Sequence, residues 1–154
     1  MMAWVHASIG ALLGARARSS KRAFRAGILS HAVADLIPHC DYDINVELPL
    51  VSITLAYIGL RHGLRSKEMA GAMGGLLPDL ENALCRFGFI KNMLFPTHTS
   101  RCWFIGHGRP VKSPLPHVLL ALICLYLAHR IGKLTTLTGN PHIGGESSAP
   151  QCYI

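Results

Sequence analysis

Between Ser30 and Asp43 the chain reads Ser-His-Ala-Val-Ala-Asp-Leu-Ile-Pro-His-Cys-Asp-Tyr-Asp, and its ionisable residues fall at spacings that suit a metal ion. His31 and Asp35 are four apart. On an α-helix, at about 100° per residue, they project from one face within about 6 Å of each other. Pro38 should end that helix, and His39 and Asp41 follow it, placed to fold back over the helix end. Imidazole together with carboxylate suits zinc, manganese or iron. The plainer alternative is a core histidine bonded to a buried acid. Five ionisable groups in 13 residues of an otherwise apolar chain favour a functional site.

A second element, Gly74-Gly75-Leu76-Leu77-Pro78-Asp79-Leu80-Glu81, runs an uncharged segment into Leu-Pro and then delivers two carboxylates. Its alternative is an acidic N-cap opening a new helix after Pro78. Further histidines are His6 near the start of the chain and His98, His107 and His117 beyond residue 95. Each of these alone reads as an ordinary surface or loop residue. Arg101 and Arg109 have the chemistry to hold a phosphate oxygen, with solvated loop charge as the alternative.

The elements that must carry these residues are apolar. The chain has 154 residues and 16.7 kDa, enough for one domain or two at most. Half of it is hydrophobic, 15% is charged, and the mean hydropathy is +0.32. A soluble domain carries about 25% charged residues. Disorder needs low hydrophobicity and high charge density, and collagen needs a glycine period, so both are excluded. Uncharged stretches mark five helices: Met1 to Ala15, Ala26 to Ala34, Leu48 to Leu60, Met69 to Pro78, and Ser113 to His129. A bilayer crossing needs about 20 residues, with a lower limit of about 17, so only the last stretch spans unaided. Residues 134–154, rich in Thr, Gly, Pro and Ser, read as a flexible tail behind a membrane-embedded domain of residues 1–133.

Charge is distributed with a direction. The net charge is +7. If the five stretches alternate across a membrane, one side collects 10 of the 15 basic residues and 2 of the 8 acids. Asp35, Asp41, Asp43, Glu47, Asp79 and Glu81 gather on the other. Such asymmetry is the mark of an oriented multi-pass protein with its N-terminus outside. The 11 aromatic residues do not interleave with the basic ones, which argues against nucleic acid as partner. The five cysteines (Cys40, Cys85, Cys102, Cys124 and Cys152) form no C-x-x-C pair and read as apolar fillers. Gly10/Gly14, Gly59/Gly63 and Gly71/Gly75 fit the small-xxx-small spacing of closely packed helices. A competing reading makes the acid-free first 34 residues a mitochondrial presequence.

The order His6, His31-x-x-x-Asp35-x-x-Pro38-His39-x-Asp41, Gly75-Leu76-Leu77-Pro78-Asp79, then a histidine-bearing segment and a last apolar helix resembles the small bacterial membrane-bound metal-dependent hydrolases. That family is distantly similar to zinc-dependent phospholipase C. The resemblance covers about residues 1 to 131 and is sharpest over residues 31 to 41. It implies a helical membrane protein of the bacterial cytoplasmic membrane, with His and Asp ligands from several helices, cleaving a phosphoester. The chain departs from the family at Leu80-Glu81-Asn82, where members carry an acid and His. It departs again at Thr97-His98-Thr99 and Gly106-His107-Gly108-Arg109, which only loosely match a His-Arg-Gly-x-Thr-His element.

The expectation is therefore an all-α, compact multi-pass membrane bundle of about five short helices. Its metal ligands are His6, His31, Asp35 and Asp79, then His39 and His98, for zinc first and manganese or iron next. Asp41 or Glu81 would accept a proton from water, and a phospholipid or lipid-linked phosphate would be the substrate. The competing classes are a non-enzymatic membrane protein and a small ion or proton conductor built on the same polar groups.

Overall fold

The computed structural model describes residues 2–37, 43–92, 94–95 and 113–137. Five helices follow in chain order: α1 (Ala3–Arg16), α2 (Ser20–Ala34), α3 (Ile44–His62), α4 (Lys67–Arg86) and α5 (Leu115–Leu137). No strand occurs among the described residues. The all-α expectation of five helices is met.

Boundaries differ from the sequence reading in α2, α3, α4 and α5; α3 starts at Ile44 and not Leu48, and α5 runs past His129 to Leu137, into the residues read as a tail. α2 starts at Ser20, so Lys21, Arg22 and Arg25 lie in the helix and not in a connection. Ser19 caps it, its Oγ accepting from Arg22 N at 3.3 Å. Lysine and arginine are good helix formers, and an exposed face tolerates their charge. α4 does not stop at Pro78 but runs through it to Arg86. Proline removes the bond that would reach the Gly74 carbonyl and crowds that residue. Glycine at 74 and 75 gives the room to absorb it.

α1 is the centre of the bundle. It packs against each of the other four helices, and nine of its residues, from Trp4 to Ala15, are buried. One apolar cluster joins Met2, Trp4 and Val5 to Ala34 of α2 and Ala121 of α5. A second, nearer the other end, joins Ala7 and Ala11 to Ile58 of α3 and Met69, Ala72 and Leu76 of α4. These contacts require consecutive helices to alternate in direction. Asp35, Asp43 and Asp79 then lie toward one end, and Arg16, Arg61, Arg65 and Lys67 toward the other.

Glycine sets the distance between α1, α2 and α4. A Cβ at Gly71 would stand 2.1 Å from the Gly10 carbonyl oxygen, and one at Gly74 would stand 2.1 Å from that of Phe24. Of the three Gly-x-x-x-Gly pairs, Gly10/Gly14 and Gly71/Gly75 face each other across the α1–α4 contact. Gly59 meets only the side-chain ends of Leu64 and Met69. Gly71→Ala is thus expected to cost about 1–3 kcal/mol by forcing backbones apart. Gly59→Ala should cost far less, because a side-chain end can move. Reversible unfolding in mixed micelles reads both.

α3 and α5 are long and apolar enough to cross a membrane, with mean hydropathies of 1.3 and 1.5 over their spans, which are only 11% and 22% buried. Leu48, Ile53, Tyr57 and Leu60 on α3, and Leu119, Leu122, Ile123 and Tyr126 on α5, are exposed. α1 and α2, at 14 and 15 residues, fall short of the length required.

Candidate metal centre

The polar residues of three helices meet inside this apolar frame. His6 of α1, His31 of α2 and Asp35 at the end of α2 are 0% exposed, and Asp79 of α4 reaches them with a side chain 22% exposed. The His6 and His31 rings stack, with centroids 3.9 Å apart and planes inclined by 22°. Asp35 lies against one edge of the stack. Its Oδ1 is 3.1 Å from His6 Nε2 and its Oδ2 is 3.2 Å from His31 Nε2. The four-residue spacing of His31 and Asp35 does place them on one helical face, as the sequence requires.

The other edge of His31 faces α4. Nδ1 donates to the Gly75 carbonyl at 2.8 Å and stands 3.8 Å from Asp79 Oδ2. His6 Nδ1 is buried and has no hydrogen-bond partner among the described residues. His6, His31 and Asp79 each offer a ligand atom within 4.8 Å of those of the other two. Ligands 2.1 Å from a tetrahedral ion lie about 3.4 Å from one another, so the His31–Asp79 pair at 3.8 Å needs a small closure and the set as a whole must close from within 4.8 Å. Two imidazoles and one carboxylate, with a partnerless buried nitrogen among them, fit a divalent ion of the zinc, manganese or iron class.

Asp35 occupies a different place from the one its type suggests. It lies at the Nε2 edge of both histidines, whereas His31 turns its Nδ1 toward Asp79. A carboxylate holding the far nitrogen of a ligand histidine fixes the tautomer and ring orientation. One carboxylate spanning two histidines does so for both at once.

The remaining candidates are distributed unevenly. His39, Asp41 and His98 lie outside the described residues. Glu81 is buried, and its Oε1 and Oε2 accept from the backbone N–H groups of Leu94 and Phe95 at 2.5 and 2.8 Å. It ties the segment after α4 to the helix. His117 is buried in the first turn of α5. Of the cysteines, Cys85 and Cys124 are free thiols.

Two residues that composition does not single out also shape the site. Gly75 supplies the carbonyl that holds His31, and its missing side chain admits α1, since a Cβ there would stand 2.5 Å from the His6 carbonyl oxygen. The Gly71-x-x-x-Gly75 spacing was the signal for it. Glu47 of α3 accepts from Ala3 N at 2.9 Å, fixing the start of the helix that carries His6. No signal in the sequence marked that contact. No protein-family model, curated protein or solved structure matches this chain.

Proposed function

We propose that this chain is a metal-dependent hydrolase embedded in a membrane, acting on a phosphoester of a lipid or lipid-linked substrate. The observation that carries the reading is the convergence of His6, His31 and Asp79 from three helices, with Asp35 behind the two imidazoles. Three protein ligands leave a position open for chemistry, as catalytic zinc sites do. The exposed apolar faces of α3 and α5, packed on the α1 side of the centre that holds the polar groups, support insertion in a bilayer. The charge asymmetry of the two ends supports an N-terminus and site on the extracytoplasmic side.

Each residue has a distinct task. Asp35 faces the Nε2 edge of both rings at 3.1 and 3.2 Å, which leaves the opposite edges to hold the ion, binding at His31 Nδ1 taking the place of its bond to Gly75. Asp79, the one partly exposed member, forms the open side that a substrate would approach. Leu36 and Leu80, exposed and next in sequence to the two acids, give that side an apolar border suited to lipid. A divalent ion bound there supplies Lewis acidity, polarising a phosphoryl oxygen and making water easier to deprotonate.

One observation favours a second reading. His31 Nδ1 already donates to Gly75, and with Nε2 donating to Asp35 the ring becomes an imidazolium neutralising a buried carboxylate. The same four groups then form a polar tie between α1, α2 and α4 with no ion. Metal content separates the two. The full chain, purified in detergent and reconstituted with zinc or manganese, is expected to hold about one ion per chain by mass spectrometry and to cleave a chromogenic phosphodiester until chelated. A chain that stays metal-free after reconstitution overturns the hydrolase and leaves the tie.

A further inference from the structure

At the end of the bundle away from the metal centre, a pocket of about 400 Å³ opens between the ends of α1, α3, α4 and α5. Glu68 in its wall precedes Asp79 by eleven residues on α4, which separates the two sites by about 16 Å along the helix. Arg61, Lys67 and Lys133 line the pocket beside His62, His129 and Glu68. Among the described residues, three fixed cations therefore face a single carboxylate. Glu68 is largely withdrawn, its side chain 9% exposed and its Oε1 3.6 Å from His62 Nδ1.

Two of the cations are held in place. Arg61 Nη2 lies 3.1 Å from His129 Nε2, and Lys67 Nζ donates to the Ala17 carbonyl at 2.8 Å while keeping its charge. The space between them is kept open by Gly132, where a Cβ would stand 3.1 Å from the His62 ring. A guanidinium and two ammonium groups around one opening suit an anion with several acceptor oxygens. We infer that this pocket binds a phosphate group, as the headgroup of an anionic lipid or as the free anion. The lipid source rests on the membrane reading above: the pocket sits where α3 and α5 end, at the depth where headgroups lie if those helices span. The site itself does not depend on the metal centre.

The test uses the full chain in detergent and in nanodiscs. Native mass spectrometry compares retention of phosphatidylglycerol and phosphatidylcholine by the wild type and by the Arg61→Gln, Lys133→Gln double variant. Preferential retention of phosphatidylglycerol is expected, weakened roughly thirtyfold in the variant, as two cation contacts predict. Unchanged retention in a folded variant overturns the site. A second measurement needs no variant: carbethoxylation of His129 in the wild type, with inorganic phosphate in detergent or phosphatidylglycerol in nanodiscs. Slowing by either supports the pocket, and which of them acts identifies the source. Slowing by neither overturns it. Both readouts are taken without metal, so loss of the hydrolase reading leaves them intact.

Discussion

His31→Ala is expected to destabilise the protein by about 3–5 kcal/mol and to abolish metal binding with the same change. The side chain is 0% exposed and makes three contacts that nothing else replaces. It shares Asp35 with His6, it donates to Gly75, and its ring stacks on His6 at 3.9 Å. Removing it leaves a buried carboxylate with half its compensation, the kind of loss that costs most in a protein interior. The Gly75 carbonyl loses the imidazole donor as well. A cavity the size of an imidazole adds to the cost. Equilibrium unfolding in mixed micelles gives the first number and metal titration the second. A change below about 1 kcal/mol would mean that the stacked pair is not formed as described.

How much of this could be read without coordinates depended on how local each feature was. His31 and Asp35 were legible because a four-residue helical spacing fixes their common face. The five helices were legible from uncharged stretches, and α2 was begun late only because its first turns carry basic residues on an exposed face. Asp79 was singled out by Leu-Pro-Asp, but for a helix end that does not exist, since α4 continues through Pro78 to Arg86. Which edge of each imidazole faces which acid was not legible. It follows from how closely α1, α2 and α4 approach, and that is set by glycines 10, 27, 71, 74 and 75 together. Glu81 shows the same limit. Its spacing from Asp79 says that a carboxylate is present, not that the backbone of Leu94 and Phe95 engages it.

The two aspartates should separate cleanly when each is replaced by its amide. Asp79→Asn replaces an anionic ligand atom with a neutral one in the three-residue set, and metal binding is expected to disappear from the range measurable by titration. Asp35→Asn leaves all three ligand atoms in place. What changes is the edge behind them, because an amide accepts from one Nε2 and presents its own N–H to the other. One histidine then loses the acceptor that fixed its tautomer. Loss of an outer carboxylate of this kind weakens metal affinity by about 10- to 100-fold without removing it. The variants are close to isosteric, so cavity formation does not confuse the comparison. Zinc titrations of both, read against the wild type, decide the arrangement. Equal abolition in the two would make Asp35 a ligand, with the imidazoles turned so that Nε2 binds. A retained but weaker site in Asp35→Asn alone means that Asp35 acts through the histidines, and the stacked pair is then a unit oriented from behind.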